Sequence, residues 1–192
     1  MKIKNIQFQT DQVVEFTGPI NELTGAAIVS ATSAKCRLFH DRKDTRLTAT
    51  VSSGTTISVT DPGVYTPNGD RVVVELNDGT WHEGGVVTAV DEEAGTVQIT
   101  NAIPSNTNKD HRVCCNLGND IGSGTPWEID MSYFEPASGA AAGNHDYGWR
   151  VTIPDSQAAF EIGIPVRIEM DLDFATNVRI TEIIRTFIEG GM

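Results

Sequence analysis

Asp70-Arg71-Val72-Val73-Val74-Glu75-Leu76-Asn77-Asp78-Gly79-Thr80-Trp81-His82 reads as two strands joined by a tight turn. Asp-Gly readily supplies the positive φ that a short hairpin loop needs, and the β-branched run before it suits a pleated, half-buried surface. The same pattern returns farther along the chain. His111-Arg112-Val113-Cys114-Cys115-Asn116-Leu117 echoes Asp70–Leu76, and Gly95-Thr96-Val97-Gln98-Ile99-Thr100 echoes Gly54-Thr55-Thr56-Ile57-Ser58-Val59. The offset is 95 − 54 = 41 residues in one case and 112 − 71 = 41 in the other. Before each Gly-Thr stands a strand-like run, Leu47–Val51 and then Val86–Val90.

Outward from this hairpin, strands are expected near 35–40, 45–51, 56–60, 71–77, 80–90, 96–100 and 111–117. Asp91-Glu92-Glu93-Ala94-Gly95 is a longer hairpin loop with Gly95 at the left-handed position, and Pro67-Asn68-Gly69-Asp70 marks a wider turn. Short strands at this spacing predict a mainly β protein, an antiparallel sandwich or small barrel.

The flanks are less regular. Residues 1–34 read as an N-terminal arm and connecting segment, with Ile6 and Phe8 on one face of an extended stretch. Residues 35–117 form the core block built on the repeat of about 41 residues, and 118–192 a C-terminal β segment packed on the same domain. Within that last segment, Pro165–Phe174 alternates cleanly. Val166, Ile168, Met170, Leu172 and Phe174 share one face, and Arg167, Glu169, Asp171 and Asp173 the other, which reads as a wet face. Ile180, Ile183, Ile184, Phe187 and Ile188 follow helical spacing, with Asn177 placed to cap and Gly190 to stop, so a C-terminal helix is expected over 177–189. Its β-branched richness argues for a strand instead.

Composition narrows function. The 192-residue chain carries 26 acids against 14 bases, a net charge of −12. A field of that sign repels phosphate backbones and argues against nucleic-acid binding. The one basic stretch, Lys35 to Arg46, is interleaved with Asp41 and Asp44. Three cysteines, two of them adjacent, make no disulfide framework and fit synthesis in a reducing cytosol. No apolar run reaches the length of a membrane span, and Met1–Phe8 lacks the apolar core of a signal peptide.

Reaction chemistry is not indicated. His40, His82, His111 and His145 lack metal-ligand spacing. Asp171 and Asp173 are close enough along a strand for a carboxylate pair, yet a solvated sheet face explains them more simply. No nucleophile elbow, phosphate loop or dinucleotide fingerprint occurs. The reading assigns no catalytic residue, cofactor or metal. Trp81, Trp127 and Trp149 suit core packing or interface anchoring better than a sugar-binding platform, since tryptophan is enriched at interfaces.

The run Gly69-Asp70-Arg71-Val72-Val73-Val74-Glu75-Leu76, Asn77-Asp78-Gly79-Thr80-Trp81-His82, Val86–Val90, Gly95-Thr96-Val97 and Ala102-Ile103-Pro104-Ser105 resembles a hairpin style found in structural proteins of tailed bacteriophages. The resemblance covers residues 45–117 at most and carries no catalytic residues. It implies a virion protein of the neck, head–tail connector or decoration type. Such a protein is made in the host cytoplasm, contains no cofactor, and assembles with copies of itself and with other virion proteins. The leading expectation is a neck adaptor, stopper or collar. A capsid decoration protein or a tail or baseplate component is the alternative in the same class, and a carbohydrate-binding or host-recognition module the alternative of another class. Ile6, Phe8, Trp81, His82, Tyr147 and Trp149 are the candidate subunit contacts.

Overall fold

The computed structural model describes residues 6–7, 12–17, 31–117, 128–134, 148–153, 163–174 and 178–189. The chain is mainly β, and among the described residues there is no α-helix. The strands are β1 (Ile6–Gln7), β2 (Gln12–Thr17), β3 (Ser33–Arg46), β4 (Val51–Ser58), β5 (Arg71–Glu75), β6 (Trp81–Asp91) and β7 (Thr96–Thr107). They continue with β8 (Arg112–Asn116), β9 (Ile129–Asp130), β10 (Ser132–Phe134), β11 (Gly148–Ile153), β12 (Pro165–Phe174) and β13 (Val178–Glu189). Two compact units divide them: Phe39–Asn119, and a unit made of Met1–Leu38 with Asp120–Met192. Phe39–Asn119 overlaps most of the expected block 35–117.

The central unit arranges its strands in the order β3-β8-β5-β6-β7-β4. The expected Asp-Gly turn is in place between β5 and β6. Gly79 has φ 78°, its N–H donates to Leu76 O at 2.9 Å, and Asp78 Oδ1 accepts from Thr80 N–H at 2.8 Å. Gly95 sits at φ 68°, as its loop required. The sheet is not closed into a barrel; within this unit, β3 and β4 approach each other just past their ends, at the isolated bridge Leu47↔Val59. Inside the curl, Leu47, Ile57, Val59, Tyr65, Val72, Val74, Val87, Val97, Ile103, Val113 and Cys115 form one buried cluster. The Tyr65 hydroxyl donates to Val113 O at 2.8 Å and lies 2.9 Å from Thr45 Oγ1, so the polar tip of this ring is satisfied inside the core.

The two echoing segments pair with one another. β5 and β8 pair antiparallel with Val73 opposite Cys114, and 114 − 73 = 41, so this central residue meets its own counterpart, while Val72 and Val74 face Cys115 and Val113, the counterparts exchanged. β4 and β7 pair Thr56 with Gln98 and Ile57 with Val97; adding 41 to 56 and 57 gives 97 and 98, the same pair exchanged. Val72 and Val74 and their counterparts Val113 and Cys115 all point into the shared cluster. The equivalence stops at β5 and β8: in the β4–β7 pair Ile57 and Val97 are buried, whereas their counterparts at the same offset, Gln98 and Thr56, are exposed.

In the other unit, β1, β13, β12 and the first half of β3 lie in that order, with β9 paired to β3 at Lys35 and Cys36. β10, β11 and β2 form a separate three-stranded antiparallel sheet. The expected C-terminal helix is a strand. β13 pairs with β12 through ten consecutive antiparallel positions, Pro165↔Phe187 to Phe174↔Val178. Isoleucines at 180, 184 and 188 satisfy period two as well as the helical spacing, and a regular β12 supplies the backbone partners that β-branched residues favour.

Candidate assembly surface and the buried charged row

The apolar side of β12 behaves as its alternation predicts, with Val166, Ile168, Met170 and Leu172 fully buried. Its charged side does not. Arg167, Glu169 and Asp171 are 3%, 2% and 4% exposed, so the expected wet face is an interior one; only Asp173 is intermediate. The physical reason is a partner remote in sequence. Arg37, on β3 and itself 5% exposed, donates from Nη1 to Asp171 Oδ2 and from Nε to Glu128 Oε1 at 2.7 Å. Thr181 Oγ1, opposite Asp171 on β13, donates to Asp171 Oδ1 at 2.5 Å. Arg167 Nε lies 2.9 Å from Glu169 Oε1. Each carboxylate in the row has a cation or donor against it, the condition for keeping a charge out of water.

Lys35 and Asp130 pair at the rim at 2.6 Å, with the Asp130 side chain mostly in solvent. Cys36 beside Arg37 is wholly buried, and burial pushes its thiol up to about 12. Cys115 is raised further, first by burial and then by Asp70. Burial thus holds both thiols away from the thiolate form.

On β13 the same sheet side turns to solvent. Thr181, Ile183, Arg185 and Phe187 are exposed, with Ile183 at 44% and Phe187 at 49%, the only large hydrophobic side chains so open among the described residues. They lie four positions apart, on one side of the strand. Sequence reading missed this surface because a helical period assigned both residues to a buried stripe. Period two applied to 178–189 would have put them on the side opposite Ile184.

The candidate contacts are dispersed. Ile6 lies on β1, which pairs in parallel with the end of β13 through Ile6↔Ile188 and Gln7↔Glu189. Phe8 and Tyr147 fall outside the described residues. Trp81 is half-buried in the central unit, its ring 5.2 Å from Phe39 and covered by the Arg112 guanidinium at 5.1 Å. His82 Nε2 is 3.1 Å from Ala102 O. Trp149 is 8% exposed and packs edge-on against Tyr133 at 5.3 Å. Among those described, Ile6 alone lies on a strand paired with β13.

Among the described residues, no group of three His, Cys, Asp or Glu side chains is placed to hold a metal ion, and no helix is long and apolar enough to cross a membrane. The chain matches no protein-family model, no curated protein and no solved structure.

Proposed function

We propose that this chain is a structural subunit of a tailed-phage virion, working as a homo-oligomer in the head–tail neck as an adaptor, stopper or collar. The observation that carries the assembly part is β13, a regular twelve-residue strand near a sheet margin that presents Ile183 and Phe187 to solvent. A strand of that kind invites pairing unless assembly covers it. The virion setting rests on the hairpin style of residues 45–117.

Two features favour this reading over its rivals. The face of Trp81 is occupied by Arg112 and Phe39, and Trp149 is buried, so neither offers the open flat ring that stacks on a sugar. Asp171, the carboxylate a hydrolase would use, is locked between Arg37 and Thr181. Light scattering on the purified full chain tests the proposal: a defined oligomer is expected, with no glycan-array binding. A monomer at every concentration overturns the assembly reading, and a glycan hit abolished by Trp81→Ala replaces it with recognition.

A further inference from the structure

Two long strands stand at or beside sheet margins, and they are built differently. β4, last in its sheet, is broken by register shifts between Val51 and Ser52 and between Gly54 and Thr56. Ser53 there has φ 75°, and the strand reads Val51-Ser52-Ser53-Gly54-Thr55-Thr56. Bulges and small hydroxyl residues are a common way of blunting an edge. β13 has none of them. It contains no Gly or Pro, and its pairing with β12 is unbroken. On its far side β1 takes only Ile188 and Glu189, and no described strand pairs there with Val178–Ile184.

We infer that Val178–Ile184 pairs antiparallel with the same segment of a second copy, about a two-fold axis at Thr181. This contact rests on the reading of the chain as a self-assembling subunit and names the surface it uses. The register follows from the pleat. In an antiparallel pair with the axis normal to the sheet, residues of equal parity meet, so that each keeps its face. Centring on Thr181 uses all seven positions and leaves the β1 pair untouched. A centre at Ile184 would need Ile188 and Glu189, which β1 holds. Thr181 then meets Thr181 of the second copy, Arg179 meets Ile183, Val178 meets Ile184 and Ile180 meets Glu182. No like charges oppose each other, and threonine pairs and β-branched pairs are favourable cross-strand neighbours. The second copy is the occupant because the strand is compatible with itself in this register, and because β1 already shows this edge accepting an extended segment of the same chain. A two-fold contact closes at two copies, so a larger ring adds a second, different surface.

Cysteine cross-linking of the full chain decides it. Directly opposite residues in an antiparallel pair have Cα atoms about 4.5–5.5 Å apart, within the span of a disulfide, and the native cysteines are buried. Thr181→Cys is expected to give a covalent dimer under mild oxidation, and Phe187→Cys, outside the paired segment, at least several-fold less. Thr181→Cys also removes the hydroxyl that bonds Asp171, so Arg179→Cys/Ile183→Cys provides an independent reading of the same register. An oligomer by light scattering in which neither variant cross-links overturns this contact and leaves self-assembly standing. A monomer in light scattering overturns both.

Discussion

Replacing Arg37 by methionine removes the cation from the buried row while keeping most of the side-chain volume. Asp171 is left 4% exposed with the Thr181 hydroxyl against one oxygen. Glu128, whose side chain is 21% exposed, can turn toward water and adds little to the cost. Leaving one buried carboxylate without its cation costs about 3–5 kcal/mol. With a urea slope of about 1–3 kcal/mol/M, the unfolding midpoint of this unit falls by roughly 1–5 M. The double variant Arg37→Met/Asp171→Leu removes both charges and is expected within about 1 kcal/mol of the parent, because desolvating the pair offsets most of its attraction. In a Trp81→Phe background the remaining tryptophans, at 127 and 149, belong to the same unit as Arg37, so fluorescence reports the relevant transition. A single variant costing less than about 1 kcal/mol, or a double variant as unstable as the sum of the singles, refutes the claim that the row is a coupled buried network.

Gly85 and Gly163 separate backbone strain from collision. Both have positive φ, 75° and 89°. A Cβ at Gly85 would stand 2.1 Å from Thr100 Oγ1, whereas at Gly163 it meets nothing within 4 Å. Thr100 Oγ1 also accepts the Val86 N–H at 3.0 Å. Gly163→Ala is expected to cost about 1 kcal/mol from the left-handed backbone alone, and Gly85→Ala roughly 2–3 kcal/mol once the lost hydrogen bond is added; equal losses in denaturant titrations refute the steric account. His40 is held below its ordinary value of 6.5 by burial first and Lys43 second, against Asp70. The unfolded chain therefore binds this proton more readily, and the contribution is intact above about pH 6.5 and lost as pH falls through and below it. His40→Gln should flatten stability against pH in that window, and an unchanged slope removes His40 as its source.

The hairpins were legible because their signals are local. Asp78-Gly79 and Gly95 announce their turns whatever surrounds them, and a 41-residue offset is visible without coordinates. The charged side of β12 was not legible, since Arg167, Glu169 and Asp171 alternate with aliphatics just as a solvated face would. What places Asp171 inside is Arg37, 134 positions earlier, and no period reports a partner at that distance. The C-terminal strand was misread for a related reason. Isoleucine at 180, 184 and 188 fits both periods, and the decision belongs to β12, whose ten-residue ladder outweighs any isolated helical preference. The exposed pair Ile183 and Phe187 was hidden by that same error. Trp81 and Trp149 use their rings for packing within their own units, against Phe39 and Arg112 in one case and Tyr133 in the other.

Phe39, where the chain enters the central unit, pairs directly with Asn116, just before the chain leaves it. A module whose entry and exit are neighbouring rungs of one ladder asks of its host only a gap between two adjacent chain ends. Within the central unit the two ends of the chain are thus one inter-strand step apart, so a covalent link between Phe39 and Asn116 would close the unit on itself without bridging a gap.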